Sequence, residues 1–238
     1  MLIAEYVKQS FVPISRLAHG WEFHSAVPLT PAEERTMVRG PAEAVPARIA
    51  ERLGKLRVLV VPFVGCRESG DVICFSKPDG ETHSAAWVES TERIYLVLPC
   101  RELNAHDTGL EFLASLAELL WPRLTRGERE KYSSLLEEEL RLGVTGEIDE
   151  EAYAAKQALH RGRGRHLRSR ENLEHYVNVS FVSTVAEYIH GMWHDVEIRV
   201  GPEHLPLPQL QRRMNLLVEL FPPNPGYSVF ANELEDEP

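Results

Sequence analysis

Along the first hundred residues, apolar positions come in short runs separated by turn-forming clusters. LRVLVVPFV (56–64), DVICF (71–75), SAAWVE (84–89) and RIYLVLP (93–99) are rich in Val, Ile and aromatics, with RESGD and SKPDGETH among the connections. These connections are too short for crossover helices, so the spacing predicts antiparallel pairing in a meander. The first and last runs are almost continuously apolar, which predicts central strands covered on both faces. Ahead of them, PAEAVPARIAERLGK (41–55) reads as one helix, with Pro46 near its first turn and Gly54 near its end. HGWEFH (19–24) reads as a strand carrying Glu22 and His24 on one face.

From about residue 108 the apolar period changes to that of helices. Thr108-Gly-Leu-Glu111 and Thr125-Arg-Gly-Glu128 both have the form in which a Thr hydroxyl and a Glu carboxylate cap a helix start reciprocally. They predict helices through FLASLAELLW, stopping at Pro122, and through KYSSLLEEELRLG. Further helices are predicted over 149–160, from Ser169 to Asp195, and over PQLQRRMNLLVELF (208–221). VEIRV (196–200) reads as one more strand. Strands first and helices later predict an α+β fold, an N-terminal antiparallel sheet packed against a helical C-terminal half with one long central helix. The whole of 1–238 reads as a single compact domain, strand-rich over 1–105 and mainly helical over 106–238.

At about 100° per residue, the long helix places Leu173, Val177, Phe181, Val185, Ile189 and Met192 in one stripe, with Tyr188 among them. Val179, Val182, Ala186 and Trp193 widen it beyond the stripe of a surface helix, which predicts a central position. Asn178 falls inside the stripe and needs hydrogen-bond partners wherever it is buried. The remaining polar window holds Ser180, Ser183, Glu187, His190, Gly191 and His194. Two imidazoles one turn apart can share a metal ion, and Glu187 can add an oxygen or orient His190. A divalent metal such as Zn is therefore the candidate cofactor, with Glu187, His190 and His194 as its ligands. HGMWH lacks the Glu that follows the first His in zinc peptidases, so the general base of that chemistry is absent. A further ligand has to come from His19, His24, His106 with Asp107, or His204. The plain alternative is a polar strip on a packed helix.

Composition adds limits. A net charge of −10 disfavours nucleic acid and anionic lipid as partners of the whole protein. No apolar run reaches the roughly 20 residues of a membrane span, and MLIAEYVKQSFVPISR lacks the pattern of a secretory signal. Cys66, Cys74 and Cys100 form an odd set without a CxxC pair, as in a reducing compartment, so a cytoplasmic protein is expected. Cys66 and Cys74 flank a turn and are placed to face each other across a hairpin; neither has a histidine nearby in sequence to activate a thiolate. HRGRGRHLRSR (160–170) offers Arg161, Arg163, Arg165, Arg168 and Arg170 as an anion-binding loop, against the plain reading of a solvated loop. Nucleotide-loop and hydrolase motifs are missing. Two functions are expected on these grounds. The first is a noncatalytic binding or scaffold protein, with another protein or a small anionic ligand as partner. The second is a divalent-metal-binding protein or metal-assisted hydrolase using the Glu187/His190/His194 face.

Overall fold

The computed structural model of the chain describes residues 1–13, 15–161, 166–194 and 201–229, with side chains outside 160–169. The strand expected over 196–200 lies outside the described residues. Strands and helices are mixed as expected, and the chain divides into two compact units, Met1–Leu116 and Ala117–Pro238. Among the described residues no helix is long and apolar enough to cross a membrane.

The first unit holds a five-stranded sheet. Its strands are β1 (Ser15–Arg16), β2 (Glu22–Ser25), β3 (Leu56–Val61), β6 (Ala86–Glu89) and β7 (Ile94–Pro99), in the order β1-β2-β3-β7-β6. A separate hairpin pairs β4 (Phe63–Gly65) with β5 (Val72–Cys74). The predicted meander is corrected here. Within the five-stranded sheet β3 runs parallel to both β2 and β7, while the β1–β2 and β6–β7 pairs are antiparallel. Neighbours in sequence are not all neighbours in the sheet. The chain leaves the sheet after β3, makes the β4–β5 hairpin, and returns through β6 at the edge, which gives it the length a parallel return needs. The expectation of buried central strands holds, since β3 and β7 are adjacent inside the sheet and each is buried at every position except its second.

One sheet face carries Leu59, Val61 and Val97, packed with Ile3 and Val7 of α1 (Ile3–Gln9), Val64, Ile73 and Ala86. Nearer the rim of this face, Glu22, Arg57 and Tyr95 lie in register across β2, β3 and β7. Arg57 bonds Glu22 and the Tyr95 hydroxyl and lies over the Phe11 ring at 4.9 Å. Glu22 and His24 share this face, and His24 meets the rings of Phe11 and Tyr6.

The single helix expected over 41–55 is two. A helical run comprises α2 (Pro31–Glu34), one π-helical stretch (Arg35–Arg39) and α3 (Gly40–Ala44), and α4 (Ala47–Leu53) follows. Val45 is extended (ψ 124°) because the Pro46 ring excludes the helical conformation of the residue before it. Gly54 ends α4 at φ +70°, where a side chain would be strained.

α5 (Ala105–Leu120) starts earlier than its Thr108 motif implies. Asn104 accepts from the Asp107 amide at 2.9 Å, and the Thr108 hydroxyl bonds back to the Asn104 carbonyl from inside the helix. The second motif behaves as read. Thr125 and Glu128 cap α6 (Arg126–Arg141) reciprocally.

In the second unit α6 is joined by α7 (Glu150–Arg161), α8 (His166–Trp193) and α9 (Leu207–Leu220), and α8 packs against the other three. Its stripe is buried at Val177, Phe181, Val185, Tyr188, Ile189 and Met192. Phe181 anchors it against Trp121 (5.0 Å) and Tyr132 (5.2 Å). Between α6 and α7, the backbone of Glu147 bonds both ways to the segment before α9: its amide donates to Glu203, and its carbonyl accepts from Leu205. Gly146 makes this approach feasible, because a Cβ there would lie 1.8 Å from the His204 carbonyl oxygen. Gly146→Ala is therefore expected to destabilise the unit by about 2 kcal/mol or more through forced separation of two backbones, as read by urea unfolding.

Candidate functional site

On α8 the predicted metal ligands sit side by side. Glu187 Oε2 is 3.5 Å from His190 Nδ1, and the His190 ring meets that of His194 edge-on at 5.7 Å. His190 is buried, Glu187 is half-buried and His194 is exposed. In the first unit, Cys66, Asp71 and His83 bring one donor atom each within 4.8 Å of one another. The other members of the polar window on α8 are largely interior. Ser180 and Ser183 are buried, and Ser183 and its buried neighbour Thr184, outside the predicted window, bond the Ser180 carbonyl at 3.2 and 2.6 Å.

Ser180 leads to a charge network not anticipated from the sequence. Arg213 of α9 is fully buried, and all five of its N–H groups have acceptors. Nε reaches Glu139 at 3.1 Å. Nη1 reaches Glu147 (2.8 Å) and the Ser180 hydroxyl (2.9 Å), and Nη2 reaches Glu139 (2.6 Å) and Glu147 (2.9 Å). Glu147 also accepts from buried Lys156 (3.0 Å) and from the Tyr176 hydroxyl (2.5 Å). Two cations thus meet two carboxylates on four different segments.

Burial alone would raise the Glu147 pKa. Arg213, Lys156 and Tyr176 outweigh it and hold the carboxyl down at about 2. Burial lowers the Lys156 ammonium, raises Tyr176, and pushes Tyr132 up to about 12. Charge so closely matched and so fully enclosed positions helices rather than meeting substrate. The network is legible as an anomaly in the stripes. Arg213 follows Leu210 by three and precedes Leu217 by four; Glu139 follows Tyr132 and Leu136; Lys156 follows Ala152 by four.

Along the outside of α6 and α8 runs an open groove of about 720 Å³. Trp121 lies at one side with Arg129 stacked over its ring at 5.8 Å, and α6 adds Ser133 and Glu137. From α8 come Arg170, Glu174 and Asn178. Asn178, expected inside the apolar stripe, is half-buried at this wall. Arg170 is the one arginine of the predicted anion loop with a described side chain, and it pairs with Glu174 at 3.1 Å. Arg161 ends α7 and Arg168 belongs to α8, with their side chains outside the described residues, as are Arg163 and Arg165 altogether. No family model, curated protein or solved structure matches the chain.

Proposed function

We propose that the chain is a noncatalytic binding protein whose helical unit receives, between α6 and α8, a small ligand with a planar apolar part and both signs of charge. The observation that carries this reading is the lining of the groove: apolar surface of Trp121, Leu173 and Val177 among two arginines (Arg129, Arg170) and two glutamates (Glu137, Glu174). Its volume falls in the range of roughly 300–1,000 Å³ usual for small-molecule sites. A purely anionic ligand would meet the two carboxylates as well as the arginines, so a zwitterion fits the charge pattern better. Trp121, Leu173 and Val177 supply apolar surface, and Ser133 and Asn178 supply orienting hydrogen bonds. The bonds from the Tyr132 hydroxyl to Ser180 and Thr184 tie α6 to α8 and support a rigid wall, which limits the ordering cost of binding. The net charge of −10 supports a small ligand over nucleic acid. Three cysteines without a disulfide support a reducing, cytoplasmic setting.

Calorimetric titration with phenylalanine, benzoate and benzylamine tests the reading. The zwitterion is expected to bind at least roughly tenfold more tightly than either singly charged compound, the equivalent of about 1.4 kcal/mol. Asn178→Trp, which fills the groove, is expected to abolish binding. Equal affinity for benzoate would reduce the site to simple anion binding, and unchanged affinity in Asn178→Trp would remove the groove from the function.

A further inference from the structure

We propose that Cys66, Asp71 and His83 form a binding site for a borderline-soft divalent cation of the zinc class, independent of the groove and located in the other unit. The three residues are 17 positions apart at most, yet no local spacing motif joins them, and backbone pairing brings them together. β4 pairs with β5 with Gly65 opposite Val72, so one further step sets Cys66 opposite Asp71. On its other side β4 takes up the segment around Thr82, which bridges Gly65. There the Cys66 amide donates to Glu81 and the His83 amide donates to Val64, each at 3.0 Å. His83 is thereby opposite Val64, two residues from Cys66 and on the same face. The reversal between Cys66 and Asp71 closes with a Gly70 to Arg67 bond, with Gly70 at φ +112°. Three adjacent backbone segments each present one donor side chain to one face.

The side chains use this placement. One donor atom from each lies within 4.8 Å of the other two, and His83 Nε2 is 3.3 Å from Asp71 Oδ1. Tetrahedral bonds of about 2.0–2.3 Å would need donors about 3.3–3.8 Å apart, so small side-chain rotations close the site. Sulfur, nitrogen and oxygen together select a borderline metal, whereas calcium and magnesium call for six or more oxygens. Cys66 is exposed and Asp71 and His83 are about 40% exposed, so a hydrated ion has access and a fourth position stays open to water. Cys74 is excluded by parity. It stands opposite Phe63, on the other face of the hairpin, which also corrects the expectation that it faces Cys66. The sequence places no histidine beside Cys66; the fold supplies His83.

Chelator-stripped full-length protein titrated with Co²⁺ and then with Zn²⁺ provides the test. Wild type is expected to take up one Co²⁺ with a thiolate-to-cobalt charge-transfer band, and zinc should displace it. Cys66→Ser is expected to lose the band, and His83→Ala to bind more than an order of magnitude more weakly. Cys74→Ser and the His190→Ala, His194→Ala double variant should match wild type. Circular dichroism verifies that each variant is folded. An absent band in wild type, or a band that survives Cys66→Ser, overturns the assignment. Loss of the ion only in the double variant would move it to α8. Fast alkylation of Cys66 at neutral pH, with no metal uptake, would convert the trio into an imidazole-activated thiol and equally end the metal proposal.

Discussion

Arg213→Met is expected to lower the stability of the helical unit by about 3–5 kcal/mol, read from urea unfolding followed by far-ultraviolet circular dichroism. The methionine fills much of the same volume, so the loss comes from charge rather than from a cavity. Without the guanidinium, Glu139 loses the cation that contacts both of its oxygens, and Glu147 keeps only Lys156 and Tyr176. Two buried carboxylates would then face one ammonium, and at least one has to take up a proton or admit water. A double replacement, Arg213→Met with Glu139→Gln, should recover part of the loss because one cation and one carboxylate are then gone together and Glu147 still balances Lys156. A loss below about 1 kcal/mol in the single variant would mean that water reaches the network and that its charges are ordinary surface charges.

Acid should dismantle the same unit through Glu147. The carboxyl is held at about 2 in the folded protein, against an ordinary value of 4.5. A depressed carboxyl contributes stability that is fully present above the unfolded value and is lost as pH falls through the folded one. The window is therefore pH 4.5 down to about 2. The shift corresponds to a loss on the order of 3 kcal/mol across it. Unfolding midpoints at four pH values from neutral down through this window would trace the decline. Glu147→Gln should be weaker near neutral pH and nearly flat across the acid window. An identical acid decline in that variant would assign the effect to other carboxyls.

How much the sequence discloses follows from how locally each feature is determined. The α6 cap needs only Thr125 and Glu128, three residues apart, and it is legible. The burial of the α8 stripe needs only the helical period, and it too is legible. Strand pairing is a global choice, so the parallel β3–β7 pair is invisible to spacings between neighbours. The start of α5 shows two local signals competing, with Asn104 preceding Thr108 and taking the cap. The charge network lies in plain view as Glu139, Lys156 and Arg213 on three apolar stripes, but their mutual pairing depends on tertiary placement. The same holds for Cys66 and His83, which share a face only because the Thr82 segment joins β4.

The parallel placement of β3 beside β7 also has a consequence for synthesis. Ile94 follows Val61 by 33 residues, so a completed β3 must await its inner neighbour while that stretch is translated. At about 5–20 residues per second the wait is roughly 2–7 s. The β4–β5 and β6–β7 hairpins, in contrast, close in about 1–10 μs once their residues emerge. A nascent chain therefore carries the apolar ribbon LRVLVV with one edge bare for seconds, and β7 arrives at it already paired to β6. This interval of exposure to chaperones and to misassociation is set by the ribosome, between the emergence of Val61 and that of Pro99.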